Sequence, residues 1–312
     1  NESNIEDYSY MFNNCSSLVE IDLSNFKGSK VINVMNNFFN NCINLKIIDL
    51  SNFNTSLTTK MSYIFNNCLS INKLNLSTFI GSTILNNLEY LFNNCNSLKI
   101  LDLSNLDLSF SININKIFGG FNSLEKLFLR NLKANNASDF SYMFKDFKYL
   151  TTLDLINFKG SSINNTMEGM FYNCKNLISL NVPNLDFSFV YNLDDIFKGC
   201  GSLIYLNLSA FKNSYIKNFS YLFYDCINLK TIDLHNFKGS LATNKMNYMF
   251  SNCRNLYSIY LPNLDLTTTI NFEHIFEGCI SLQTATILNS QESQISDYSF
   301  MFNNCISLKY VN

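Results

Sequence analysis

Ten cysteines are the first residues in this 312-residue chain that could do chemistry: Cys15, Cys42, Cys68, Cys95, Cys174, Cys200, Cys226, Cys253, Cys279 and Cys305. Thiols in this number could ligate metal, form disulfides or carry redox reactions. Their spacing argues otherwise. They stand singly, one to a repeat of 26 or 27 residues, without the paired C-x-x-C of a zinc site. Two repeats carry Phe121 and Phe147 at the same position. A phenyl ring can replace a small buried hydrophobe but not a ligand or half a disulfide. The cysteines are therefore expected to be free thiols in a core column. The rival arrangement is a disulfide ladder between stacked coils, for which inward, parallel side chains are poorly aimed.

Imidazole is nearly absent. His235 and His274 lie in different parts of different repeats, one expected on a strand and the other on a helix. Nucleophile–His–acid arrangements and metal clusters have little material here. Asp194–Asp195 and Glu273–His274 lie beside an expected short helix, where acids favour the N-terminus. Gly119–Gly120 falls at a helix-stop position and is not a phosphate loop. No enzyme activity and no cofactor are expected.

The elements that position these residues follow from the stretch Phe39–Phe53, FNNCINLKIIDLSNF, which returns twelve times. With Phe39 as position zero, its counterparts are Phe12, Phe65, Phe92, Phe118, Phe144, Phe171, Phe197, Phe223, Phe250, Phe276 and Phe302. A fixed period of this size marks a solenoid. Position minus five is an N-cap type in most repeats (Asp7, Asn87, Asn113, Asp139, Asn271). Apolar residues at minus four, minus one and zero, as in Met61, Ile64 and Phe65, have helical spacing. Position plus two is always Gly, Asn or Asp, types that tolerate a left-handed backbone and end helices. Plus eight to plus twelve alternates as a short strand, with plus nine and eleven inward. Asn at plus thirteen, as in Asn25 and Asn52, is expected to satisfy turn backbone groups.

The expected fold is an α/β solenoid, leucine-rich-repeat-like, of about twelve coils of 26–27 residues. One parallel β-sheet would lie on one side, with short helices opposite. Residues 1–312 are read as a single solenoid without an internal boundary, and as part of a longer chain, because both ends fall inside repeats.

Composition narrows the function. The chain is 47% hydrophobic, carries a formal charge of −2 and lacks basic runs, so it has no electrostatic footprint for nucleic acid. No window approaches a membrane span, and the first residues, NESNIEDYSY, do not read as a signal peptide. Asparagine is abundant, at 52 residues, so the N-x-S/T sequons present are expected by chance.

A longer period is superposed: INKIFGGFNSL (114–124), LDDIFKGCGSL (193–203) and FEHIFEGCISL (272–282) are 79 residues apart. The pattern MFNNCSSLVEIDLSNF (11–26) resembles the BspA-like leucine-rich repeat surface proteins, and LNVPNL (180–185) and IYLPNL (259–264) resemble the related treponemal-type repeats. The resemblance covers all twelve repeats. It implies a non-enzymatic surface or secreted adhesin or interaction module. The departures are Phe121 and Phe147 in the cysteine column and the irregular last strand at Ala285, Thr286 and Ile287.

The expected binding face is the outward side of the strands, at plus eight, ten and twelve. Most plus-ten residues are Asp or Asn, including Asp22, Asp49, Asp102 and Asp154. Lys126, Phe128 and Arg130 interrupt that pattern in one repeat, and Tyr260 in another, near His235 and with Tyr205 further back. Aromatic and Arg residues dominate interface hot spots. These six residues are the candidate face for a protein or glycan partner. The alternative is a structural subunit that self-associates by end-to-end or lateral stacking of its coils.

Overall fold

Each repeat turns on two left-handed residues four positions apart. One is the expected plus-two column, with Asn14 at φ 60°, Asn94 at 61°, Asp225 at 59° and Gly120 at 80°. The other lies two residues before the zero phenylalanine: Tyr63 at 60°, Tyr90 at 56°, Lys116 at 47°, Tyr221 at 56°, Tyr248 at 59° and His274 at 57°. A residue at positive φ in mid-segment cannot belong to a right-handed helix.

The short helices expected opposite the sheet are therefore corrected: none is present among the described residues. The hydrogen bonds give the reason. Met35, Asn37, Phe39 and Asn41 donate their N–H groups to the carbonyls of Lys60, Ser62, Ile64 and Asn66 in the next coil, at 2.9–3.0 Å. The intervening Asn40 and Cys42 close tight turns onto Asn37 and Phe39. An α-helix needs each N–H for the carbonyl four residues back. Here alternate donors leave the coil, so the segment is a stack of turns.

The computed structural model describes residues 4–76, 85–129, 134–155, 165–182, 190–206, 216–234, 245–261, 271–287 and 295–312. They fall in two compact units, Asn1–Leu150 with Asn157–Ser161 and Thr151–Ile156 with Ser162–Asn312. The first unit carries β1 (Asn33–Val34), β2 (Ile47–Asp49), β3 (Thr58–Lys60), β4 (Lys73–Asn75), β5 (Ile100–Asp102) and β6 (Lys126–Phe128). The second carries β7 (Thr152–Asp154), β8 (Asn165–Thr166), β9 (Ser179–Asn181), β10 (Val190–Asn192), β11 (Ser258–Leu261), β12 (Thr284–Ile287) and β13 (Tyr310–Val311).

All pairings are parallel: β2–β4, β5–β6, β7–β9 and β11–β12–β13 on the main strand side, and β1–β3 and β8–β10 at the entrance to the turns. Plus-nine residues Ile48, Leu101, Leu153 and Ile259 point into the core, and their neighbours point out, as the alternation predicts. Among the described residues each unit is a parallel β-solenoid, with about eight turns in all. Elsewhere among the described residues the coils meet through single bridges such as Glu20↔Ile47 and Asn113↔Asp139, so the nine strands of the main side fall short of the twelve coils expected.

The zero phenylalanines form ring stacks. In the first unit Phe12, Phe39, Phe65, Phe92, Phe118 and Phe144 follow one another at 5.3–6.1 Å between centroids. In the second, Phe171, Phe197, Phe223, Phe250, Phe276 and Phe302 do so at 5.3–5.6 Å. Each such contact contributes about 0.5–1.5 kcal/mol beyond the apolar area it buries.

The cysteines are free thiols, and nine of the ten are buried, as their column predicts. They also have a polar task. Cys42, Cys68 and Cys95 donate to the carbonyls of Phe12, Phe39 and Phe65, each the zero residue of the preceding coil, at 3.0–3.2 Å. Cys200, Cys226, Cys253, Cys279 and Cys305 repeat the contact in the second unit. The column thus satisfies a buried carbonyl as well as filling space. The minus-five residues act as turn closers: Asp7, Asn113, Asp139 and Asp297 each accept the N–H two residues on. That is the start of a helix cap without a helix behind it.

Candidate interaction face

In the first unit β5 and β6 place Ile100 opposite Lys126 and Asp102 opposite Phe128. Ile100 and Phe128 are exposed, at 55% and 39%. Lys126 and Phe128 therefore lie together on the outward face, as expected from the strand alternation. Beside them Lys99 and Glu125 form an exposed ion pair at 3.2 Å.

The plus-ten aspartates prove to be structural. Asp22, Asp49 and Asp102 each accept the backbone N–H of the serine two residues later, at 2.8–2.9 Å. These bonds to Ser24 and Ser51 hold the Asp22 and Asp49 carboxyls below the usual carboxylate range. The D-L-S motif is a strand terminator.

In the second unit Tyr260 lies on β11 opposite Thr286 of β12 and is 43% exposed. Tyr205 is 55% exposed. Two further tyrosines extend this patch without having been expected. Tyr257 donates its hydroxyl to Gln283 Oε1 at 3.0 Å, and Tyr310 on β13 pairs with Thr284 and is 70% exposed. Arg130 and His235 lie outside the described residues.

The turn side carries a second set of features. Its signal in the sequence is the minus-two column, which is Tyr at 10, 63, 90, 142, 221 and 248. Tyr221, Tyr248, His274 and Phe300 stack in one ladder, with centroids 4.9, 4.5 and 4.7 Å apart and planes within 8°. His274, expected on a helix, is instead a left-handed turn residue whose ring nitrogens face Glu277 Oε2 at 2.6 Å and Glu273 Oε1 at 3.2 Å. Lys198 Nζ lies 4.2 Å from the Tyr221 centroid, with Tyr224 and Tyr172 at 5.4 and 5.7 Å, and pairs with Asp195 at 2.9 Å. Next to it, Asp194 keeps Oδ1 buried without a hydrogen-bond partner. Burial, then the Asp195 carboxylate, pushes Asp194 up to about 6.

In the first unit this side is rich in amides. Asn40, Asn66 and Asn93 donate Nδ2 to Oδ1 of Asn13, Asn40 and Asn66. Asn41, Asn67 and Asn94 do the same to Asn14, Asn41 and Asn67, giving two ladders side by side at 2.8–2.9 Å. Lys116 Nζ caps the neighbouring stack of Tyr63 and Tyr90, 5.0 Å from the Tyr90 centroid and 3.0 Å from its hydroxyl. Among the described residues no group of three or more His, Cys, Asp or Glu could hold a metal ion, and no helix is long and apolar enough to cross a membrane.

Three solved structures illustrate what the fold is similar to. A leucine-rich cell surface protein from Faecalibacterium prausnitzii is 15% identical over 94% of this chain and 82% of its own, with a TM-score of 0.42. A leucine-rich repeat protein from Eubacterium ventriosum is 16% identical over 90% and 78%, with a TM-score of 0.37. An internalin from Listeria monocytogenes is 14% identical over 95% and 87%, with a TM-score of 0.30. No curated protein matches the sequence. The sequence pattern described as "Mycoplasma protein of unknown function, DUF285" matches residues 1–85, 86–203, 165–288 and 233–310, and with nearly every coil inside that match the chain belongs to the DUF285 family.

Proposed function

We propose that this chain is a non-enzymatic interaction protein of the cell surface or secreted space, binding a macromolecular partner through the outward face of its strands. The observation that carries the reading is the exposure of large apolar and aromatic side chains there. Ile100 and Phe128 stand out in the first unit, and Tyr205, Tyr257, Tyr260 and Tyr310 in the second. Such rings bury much area at small cost in side-chain entropy and dominate hot spots. A protein partner suits them better than a glycan, because a protein can meet several separated rings with apolar side chains.

The resemblance of residues 11–26 to the BspA-like repeats supports the surface location, and the unbroken 26- or 27-residue spacing supports twelve coils. Neither the cysteine column nor the two histidines supply a reactive constellation, which supports a binding role.

The test is a surface-plasmon-resonance screen against extracellular proteins, followed by Phe128→Ala and Tyr260→Ala with circular dichroism as the folding control. Each variant should weaken a binder by about tenfold or more, as hot-spot truncations of 1–2 kcal/mol do. Unchanged affinity in both variants would remove the strand face as the binding surface.

A further inference from the structure

The two asparagine ladders of the first unit end abruptly. The next coil carries Gly119 and Gly120 where an Asn pair stood in each coil before it. Asn93 and Asn94 donate backwards to Asn66 and Asn67, but their own Oδ1 atoms accept no hydrogen bond from any described residue. Both oxygens point at the missing side chains. A Cβ at Gly119 would lie 2.8 Å from Asn93 Oδ1, and one at Gly120 would meet Asn94 Oδ1 first. What remains is a notch of about 220 Å³ lined by Tyr90, Asn93, Asn94, Lys116, Lys145, Asp146 and the two glycines.

The chemistry of the notch selects its occupant. Every amide in both ladders points the same way, so each bond polarises the next and the terminal carbonyls are enhanced acceptors. An apolar occupant would leave both unpaired at a cost of about 1–3 kcal/mol each. A cation would approach the Lys116 and Lys145 ammonium groups. An anion would approach two carbonyl oxygens and the Asp146 carboxylate. A neutral group that both donates and accepts at several points satisfies the whole lining. Its donors would go to Asn93 and Asn94, and its acceptors to the remaining protons of Lys116 Nζ, which also donates to the Tyr90 hydroxyl, and of Lys145 Nζ, which lies 4.0 Å from Asp146 Oδ2. Tyr90 cannot offer a face, since Tyr63 covers one side at 4.7 Å and Lys116 the other. The ring contributes an edge and its hydroxyl.

We propose that the Gly119–Gly120 notch is a monosaccharide subsite that takes one pyranose ring edge-on through its hydroxyl groups. A pyranose carries several neighbouring donor–acceptor hydroxyls and fills a volume of this order, whereas a lone carboxamide offers two donors and leaves much of the space empty. The site is separate from the strand face and stands independently of it.

Saturation-transfer-difference NMR on the full chain, with glucose, galactose and N-acetylglucosamine as separate probes, tests the assignment. At least one sugar should bind with a dissociation constant on the order of millimolar, as expected of a small polar ligand. Gly119→Asn restores the residue type of the preceding coils, continues the ladder from Asn93 and fills the notch. It should weaken that sugar by about tenfold or more while circular dichroism stays native. Lys145→Ala leaves the glycines in place and should weaken it as well. No binding of any of the three sugars, or binding unchanged in Gly119→Asn, would overturn the proposal. So would binding of acetamide alone, which would make the notch a receptor for a peptide carboxamide.

Discussion

The imidazole of His274 lies 4.5 Å from the ring of Tyr248 and 8° from parallel to it, although both residues have left-handed backbones. A side chain in that region costs about 1–2 kcal/mol relative to a right-handed one. The stack offsets that cost by placing ring on ring from coil to coil. The stability of this turn is thus held between coils and not within one.

Tyr248→Gly and Tyr248→Ala separate the two contributions. Both lose the contacts to Tyr221 and His274, but glycine alone relieves the strained φ of 59°. The glycine variant should therefore be the more stable of the two by about 1 kcal/mol, the reverse of the usual ranking in regular structure. Urea midpoints read the difference. An alanine variant equal to or better than glycine would show that the backbone is not strained there.

The cysteine column predicts a sharp contrast in thiol reactivity. Cys15 is exposed and the other nine are buried. Burial raises the Cys42 and Cys305 thiols to about 11, so little reactive thiolate is present near neutral pH. Native protein should consume one equivalent of a thiol reagent quickly, and denatured protein ten without prior reduction. Fewer than ten after denaturation would reveal disulfides and restore the ladder arrangement.

What the sequence made legible depends on whether a signal lies within one coil. The plus-two column could be read because Asn, Gly and Asp are the types that accept positive φ alone. The minus-two column could not, since beside Asn37, Gly169 and Asp195 it is mostly Tyr, with Lys116 and Phe300, types that seldom take positive φ. Met61, Ile64 and Phe65 have the spacing of a helix face, yet the same three offsets point inward from a stack of turns. Strand alternation placed Phe128, Lys126 and Tyr260 outward correctly. It said nothing of Asp49 bonding Ser51, because Asp is as common on free surfaces as in turns. The amide ladders appear only when the columns are read down successive coils.

Asp194 gives the fold a pH dependence of known sign. Its pKa of about 6 in the folded state exceeds the unfolded value near 3.9, so the folded state holds the proton longer. Stability contributed by this group is then highest below about pH 4 and falls as pH rises to about 6, above which the penalty is complete. Asp194→Asn keeps an oxygen for Asn218 Nδ2 and cannot ionise. It should unfold later than the parent above pH 6, by on the order of 1 kcal/mol after allowing for partial exposure, and match it near pH 4. Thermal melts across that range check this, and a difference that does not change with pH would contradict it.

Asn67→Asp tests the amide ladder from its middle. Asn67 donates to Asn41 Oδ1 and accepts from Asn94 Nδ2, both at 2.8 Å. An ionised carboxylate keeps the second bond but sets oxygen against oxygen in the first. The loss should be on the order of 1–3 kcal/mol at neutral pH. A protonated carboxyl regains a donor, so the folded state would bind its proton more tightly than the unfolded chain. The deficit should therefore shrink as pH falls through the raised folded-state pKa, and the recovery should be complete below the unfolded Asp value near 3.9. Asn67→Ala, which cannot regain the donor, should show no such recovery. Parallel recovery of both variants in acid would mean that the recovery does not come from a donor regained within the ladder.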